Sequence, residues 1–104
     1  MAEIDEIIHQ PIRLRLMAAL VAIKSPESAE FTVLRDMLGA TDGNLGAHLH
    51  RLEEAGYIEI TKTFVDRKPR TFIAATDRGR KVFRSQVAAL EEIIRGSAGG
   101  KGRK

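Results

Sequence analysis

Apolar residues in this chain recur at helical spacing, then at alternate positions through one short stretch, then at helical spacing again. Ile4, Ile7 and Ile8 suit one or two helical turns within an acidic lead-in, MAEIDEIIHQ. Pro11 fits the first position of a new helix, where its missing N–H costs nothing. That helix runs from Ile12 to Lys24, with Ile12, Leu16, Ala19 and Ile23 along one side and Leu14, Met17 and Val21 nearly opposite. A helix apolar on two sides needs cover on both; a small domain supplies one and a partner chain the other. SPESAE reads as a loop, with His9 before the helix as a surface or capping residue. Glu30 and Phe31 suit a short strand. FTVLRDML then predicts a short helix, with Thr32 as cap and Gly39 as stop.

The stretch TDGNLGAHLHRLEEAGYI predicts the central helix. Thr41 or Asp42 offers an oxygen to the orphan amides of its first turn. Leu45, Leu49 and Leu52 form one narrow stripe, and Gly56 stands where a left-handed cap belongs. Gly43, Asn44, Gly46, Ala47, His50 and Arg51 lie off that stripe. The two glycines each cost about 1 kcal/mol of helix propensity, which makes sense where another backbone or a groove must come close. A plain surface helix is the other reading. Next, YIEITKTF and RTFIAA read as two strands around the polar turn VDRKP, with Ile58, Ile60 and Phe64 on a core-facing side and Pro69 in the turn. Helix, four-residue turn, helix and basic hairpin together make a winged helix-turn-helix. The predicted class is α+β, mostly α, with a two- or three-stranded wing and flanking dimerisation helices.

Thr76 or Asp77 caps a last helix reaching about Arg95. Phe83, Val87, Leu90 and Ile94 fall in line at spacings of four, three and four, as in a coiled-coil seam. The alternative is a stripe that packs only on the chain's own core, but the helix runs past any core of this size. Residues 1–95 thus form one domain, and residues 96–104, GSAGGKGRK, a flexible basic tail.

The segments QPIRLRLMAAL, FTVLRDMLGATDGNLGAHLHRLEEAGYI and DRKPRTFIAATDRGRKVF resemble winged-helix transcriptional regulators related to MarR and ArsR, in particular the short branch without a ligand domain. The resemblance implies a homodimer that sets two recognition helices and two wings on double-stranded DNA. Ile12, Leu16, Phe83, Val87, Leu90 and Ile94 would form the dimer interface. Wing cations Arg67, Lys68 and Arg70, with Lys62 nearby, would meet phosphates or the minor groove. Asn44, His50 and Arg51 would read base edges, with Gly46 and Ala47 allowing close approach or meeting a thymine methyl. Gly46 and Ala47 are a departure, since that place calls for a hydroxyl or a larger polar side chain.

Composition sharpens this picture. Ile, Leu, Val and Phe make up 28 of 104 residues, above the level of about 20% below which highly charged chains stay disordered. The absence of cysteine excludes disulfides and thiolate metal sites, including the cysteine-based metal sensing of part of the ArsR family. No signal sequence or membrane span is visible, so the expected compartment is the cytoplasm. The formal charge of +3 is unevenly spread: residues 1–55 hold five Lys/Arg against nine Asp/Glu, and residues 56–104 hold twelve against five. That asymmetry suits a polyanion partner, although a solvated basic face with a charged tail would look the same.

No catalytic constellation, metal set or cofactor fingerprint stands out. His48 and His50 are two apart on a helix and diverge, and Gly100-Lys101 lacks the rest of a phosphate-binding loop. The expectation is a non-enzyme without cofactor. Two other functions fit the same elements, a winged helix used for protein–protein contact in the transcription machinery and an RNA-binding one. The operator, any effector and the direction of regulation leave no mark in the sequence.

Overall fold

The structure, a computed structural model, describes residues 4–25 and 27–102, with side chains described as far as residue 96. Its elements in chain order are α1 (Pro11–Val21), β1 (Ala29–Glu30), α2 (Phe31–Leu38), α3 (Asp42–Glu54), β2 (Ile58–Val65), β3 (Lys68–Ala75) and α4 (Asp77–Gly102). The strands form one antiparallel sheet in the order β1-β3-β2. This is the winged-helix arrangement expected from the sequence, with a third short strand paired to the outer edge of β3.

Leu34 of α2, Leu45, Leu49 and Leu52 of α3, and Leu16, Met17 and Leu20 of α1 meet Ile58 and Ile73 of the sheet in one buried core. Each such side chain contributes about 1.5–3 kcal/mol on burial. The lead-in closes one side: Ile8 is fully buried, and Asp5 caps its turn by accepting from Ile7 N and Ile8 N.

The cap chemistry is local. Gln10, not His9, caps α1, its Oε1 accepting from Ile12 N and Arg13 N. Glu30 rather than Thr32 precedes α2, and no side chain caps that helix. Gly39 and Gly56 have positive φ, 65° and 81°, and each closes its helix with paired backbone bonds. After α2 these run from Gly39 N to Asp36 O and from Ala40 N to Arg35 O; after α3, from Gly56 N to Glu53 O and from Tyr57 N to Leu52 O. Both are Schellman closures.

Two helices depart from the expected faces. In α1 the buried arc is centred on Arg13, between the two apolar stripes, so Leu16 and Met17 from opposite stripes are both fully buried within the same chain. Leu16 therefore has no surface left for a partner. Helix α1 also stops at Val21, before Lys24. In α4 the side turned to the chain's own body carries Gln86 and Ala89, both buried. The stripe of Phe83, Val87, Leu90 and Ile94 flanks it, partly covered at Phe83 and 65% exposed at Ile94. The α4 backbone is helical through Gly102, beyond the boundary expected at Arg95; the side chains of the basic tail lie outside the described residues. At about 1.5 Å per residue α4 is roughly 39 Å long, which gives the chain its 64 × 26 × 21 Å outline.

Candidate nucleic-acid interface

The turn between α2 and α3 is held by charge. Arg35 bonds Asp36 (3.1 Å) and, across the turn, Asp42 (3.0 Å), and these bonds hold its guanidinium above the usual pKa. Thr41 caps α3, its Oγ1 accepting from Asn44 N at 3.1 Å. Asp42 in the first turn also suits the positive end of the helix.

With the three leucines buried, α3 turns Gly43, Asn44, Ala47, His50 and Arg51 to solvent. A methyl group added at Gly43 or Gly46 would meet nothing within 4 Å. Packing within the chain therefore requires neither glycine, and the helix propensity they forfeit is not offset by any close contact inside it. His50 reaches Glu54 one turn on, Nε2 to Oε2 at 3.3 Å, at an exposed position where such a pair is worth little. Gly46 and His50 face the hairpin. With Leu49, Glu53, Phe31, Ile60, Lys62 and Thr71 they line an open groove of about 690 Å³ between α3 and the wing.

On the other flank of α3, half-buried His48 lies near Arg13. Burial, then the Arg13 charge, lowers the His48 pKa. Burial, then Arg51, lowers that of Arg13. Among the described residues, the buried Nε and Nη1 of Arg13 have no hydrogen-bond partner. The α1 side of α3 thus carries positive charge as well.

Strands β2 and β3 pair from Ile58–Ala75 to Val65–Lys68. The connection is the two-residue turn Asp66-Arg67, with φ of 52° and 68°, as a type I′ hairpin requires. It brings Arg67 to the tip and Lys68 to the closing pair, both exposed. Pro69 is not in the turn but in β3, opposite Phe64. The closing pair of a two-residue hairpin is hydrogen-bonded and the next pair is not, so the missing N–H of Pro69 faces away from β2, beyond the reach of β1.

Two wing residues differ from expectation. Arg70 does not join the tip cations: its Nη1 donates to Glu30 Oε2 at 2.5 Å and fastens β3 to β1. Phe64 shares a strand face with Ile58 and Ile60 but lies past the end of the core, 72% exposed. The structure thus brings Gly46, His50 and Lys62 to one groove and exposes Asn44, Ala47 and Arg51 on α3 and Arg67 and Lys68 at the wing tip, while Arg70, opposite Thr63, is tied to Glu30. Glu53, outside the expected DNA-contacting set, also places a carboxylate in the groove. Its place follows from the leucine stripe, since it lies one residue past Leu52. Among the described residues no cluster of His, Asp or Glu could hold a metal ion, and no helix is long and apolar enough to cross a membrane.

Comparison with known proteins agrees with this geometry. A family model described as a winged helix DNA-binding domain matches residues 12–94. An uncharacterized protein of Methanocaldococcus jannaschii is 34% identical over 88 residues, 85% of this chain and 92% of its own length. A transcriptional regulator homologue from Pyrococcus horikoshii superimposes with a TM-score of 0.80 at 32% identity, covering 88% of each chain. A PadR family transcriptional regulator from Eggerthella lenta shares the fold at 23% identity, with a TM-score of 0.67 over 95% of this chain and 92% of that one. The chain belongs to the winged helix DNA-binding domain family.

Proposed function

We propose that this chain is a transcriptional regulator that binds double-stranded DNA sequence-specifically as a homodimer, in the cytoplasm and without catalysis or cofactor. One observation carries the reading: an outward helix face cleared by glycine and alanine stands across an open groove from a wing whose cations Lys62, Arg67 and Lys68 are exposed. In this reading α3 enters the major groove, Asn44, His50 and Arg51 meet base edges, and the wing cations fix register on the backbone. The chain's likeness to the transcriptional regulator homologue of Pyrococcus horikoshii supports it. Kinship with MarR and ArsR regulators rests on the sequence segments alone; the PadR family regulator has the same fold.

The second copy is proposed on the distal half of α4, where Ile93 and Ile94 are 53% and 65% exposed. Burying such a pair twice across a two-fold axis favours association. Any effector would then lie in that interface. Ile94→Asp should turn a dimer into a monomer at micromolar concentration in sedimentation, and DNA affinity should fall with the lost second half-site. Duplex binding titrated across salt, with an RNA duplex as competitor, tests the main reading. Failure to bind DNA even at low salt would favour a protein-contact module, and preference for RNA an RNA-binding one.

A further inference from the structure

The wing carries an apolar pair that neither fold nor core uses. Ile58, Ile60, Lys62 and Phe64 alternate along one face of β2, and their partners Ala75, Ile73, Thr71 and Pro69 continue that face on β3. Inward it is core: Ile58 and Ile73 are buried. At Lys62 it opens into the groove beside α3. Phe64 stands four residues beyond Ile60, roughly 13 Å along the strand, so no core side chain reaches it. A phenyl ring 72% exposed at that point is costly in water unless something else covers it.

From this we infer that Phe64, backed by Pro69, is an apolar wedge that enters the minor groove of bound DNA beside the half-site read by α3. The proposal rests on the DNA-binding reading above and adds to it a contact that is not electrostatic. Three features favour DNA as the occupant. Phe64 lies on the strand face that turns toward α3, so helix and ring address the same duplex. Lys62 precedes it by two residues on the same strand face and Arg67 stands in the turn beyond it, and between Lys62 and Thr71 the one acid is Asp66, in the turn. Its cross-strand partner is a proline, so the pair presents carbon rather than an amide hydrogen. Apolar side chains inserted between base steps unstack them and bend the duplex away from the wedge.

The test uses the full chain with a duplex recovered by selection from a random library, and a random-sequence duplex beside it. Phe64→Ala should weaken binding about tenfold or more and reduce DNA bending, measured by energy transfer between the duplex ends. Its salt slope should match the wild type, because an apolar contact releases no counterions. As the chain has no tryptophan, Phe64→Trp supplies a single indole whose emission should shift or quench on saturation with DNA. Wild-type affinity and bend in Phe64→Ala, or unchanged indole emission at saturation, would overturn the wedge and leave the DNA reading intact. A lowered affinity explained by altered sedimentation of the free protein would assign the ring to contact between copies and overturn it too. A wild type that binds no duplex would overturn both readings.

Discussion

The junction where α4 meets the end of α3 and the outer half of the wing differ in how their groups are spent. At the junction nearly every polar group has a partner inside the chain. Thr76 N donates to Tyr57 O, Thr76 Oγ1 donates to Gly56 O (2.7 Å) and accepts from Gly79 N (3.0 Å), and Arg80 donates to the carbonyls of Val21 and Ile23 at the end of α1. Tyr57 is buried, its hydroxyl donating to Asp5 while the Arg78 guanidinium lies 5.7 Å from its ring centre. Burial first, then the Asp5 carboxylate, raises the tyrosine pKa. On the outer wing, Lys62, Phe64, Arg67 and Lys68 are all exposed. Interactions closed within the chain stabilise it; groups left open are available to something else. That contrast marks the outer wing as the candidate surface for a partner.

The sharpest way to break the comparison is at Gly79, where an added Cβ would lie 2.0 Å from Tyr57 O. Backbone cannot yield as a side-chain tip does, so Gly79→Ala should cost roughly 3 kcal/mol, read as a lower denaturation midpoint at unchanged slope. A loss below about 0.5 kcal/mol would mean that the junction is looser than described. Replacing Arg67 and Lys68 together by alanine should do the reverse, leaving stability within about 0.5 kcal/mol. Their loss should weaken all duplexes alike, and the slope of log affinity against log salt should shrink by about 0.9 for each phosphate contact removed. An unchanged slope would take the wing off the backbone. Gly46→Ala sharpens the comparison on α3 itself: stability should rise by about 1 kcal/mol while duplex affinity falls. Equal affinity would show that the glycine gives no clearance to DNA.

The smallest effect belongs to His48. Its pKa is lowered by burial and by Arg13, below the ordinary 6.5, so the unfolded chain takes up a proton before the folded one does. The contribution of the neutral imidazole to stability is complete above pH 6.5 and declines as pH falls below it. His48→Gln should flatten that acid limb of a stability–pH curve; a curve that keeps its shape would remove His48 as its source.

Much of this was legible in the sequence because local chemistry dictates it. Gly39 and Gly56 close helices, Thr41 opens one, and Leu45, Leu49 and Leu52 define a face, all without knowledge of the rest of the fold. What stayed hidden depends on residues far apart. Arg13 and Gln86 occupy the centres of buried arcs, so the apolar residues on either flank looked like two faces of α1 and a free seam on α4. Gln86 is there because its Oε1 accepts from Asp5 N, eighty-one residues earlier, at 2.7 Å. Glu30 claims Arg70 across forty residues, which no spacing rule shows. Phe64 obeys the alternation of its strand; where the core ends along that strand is a property of the packed helices.

The closed junction also makes α4 a lever arm. Its first turn is pinned to the backbone that ends the recognition helix, and its far end lies roughly 39 Å away. A rotation of about 5° at the pivot displaces that end by about 3 Å, close to the spacing of one base pair along duplex DNA, about 3.4 Å per strand. In the proposed dimer this linkage runs in both directions. In that dimer the angle held at Gly79 would set half-site spacing, and whatever shifted the far ends of the two α4 helices would re-aim both α3 helices together.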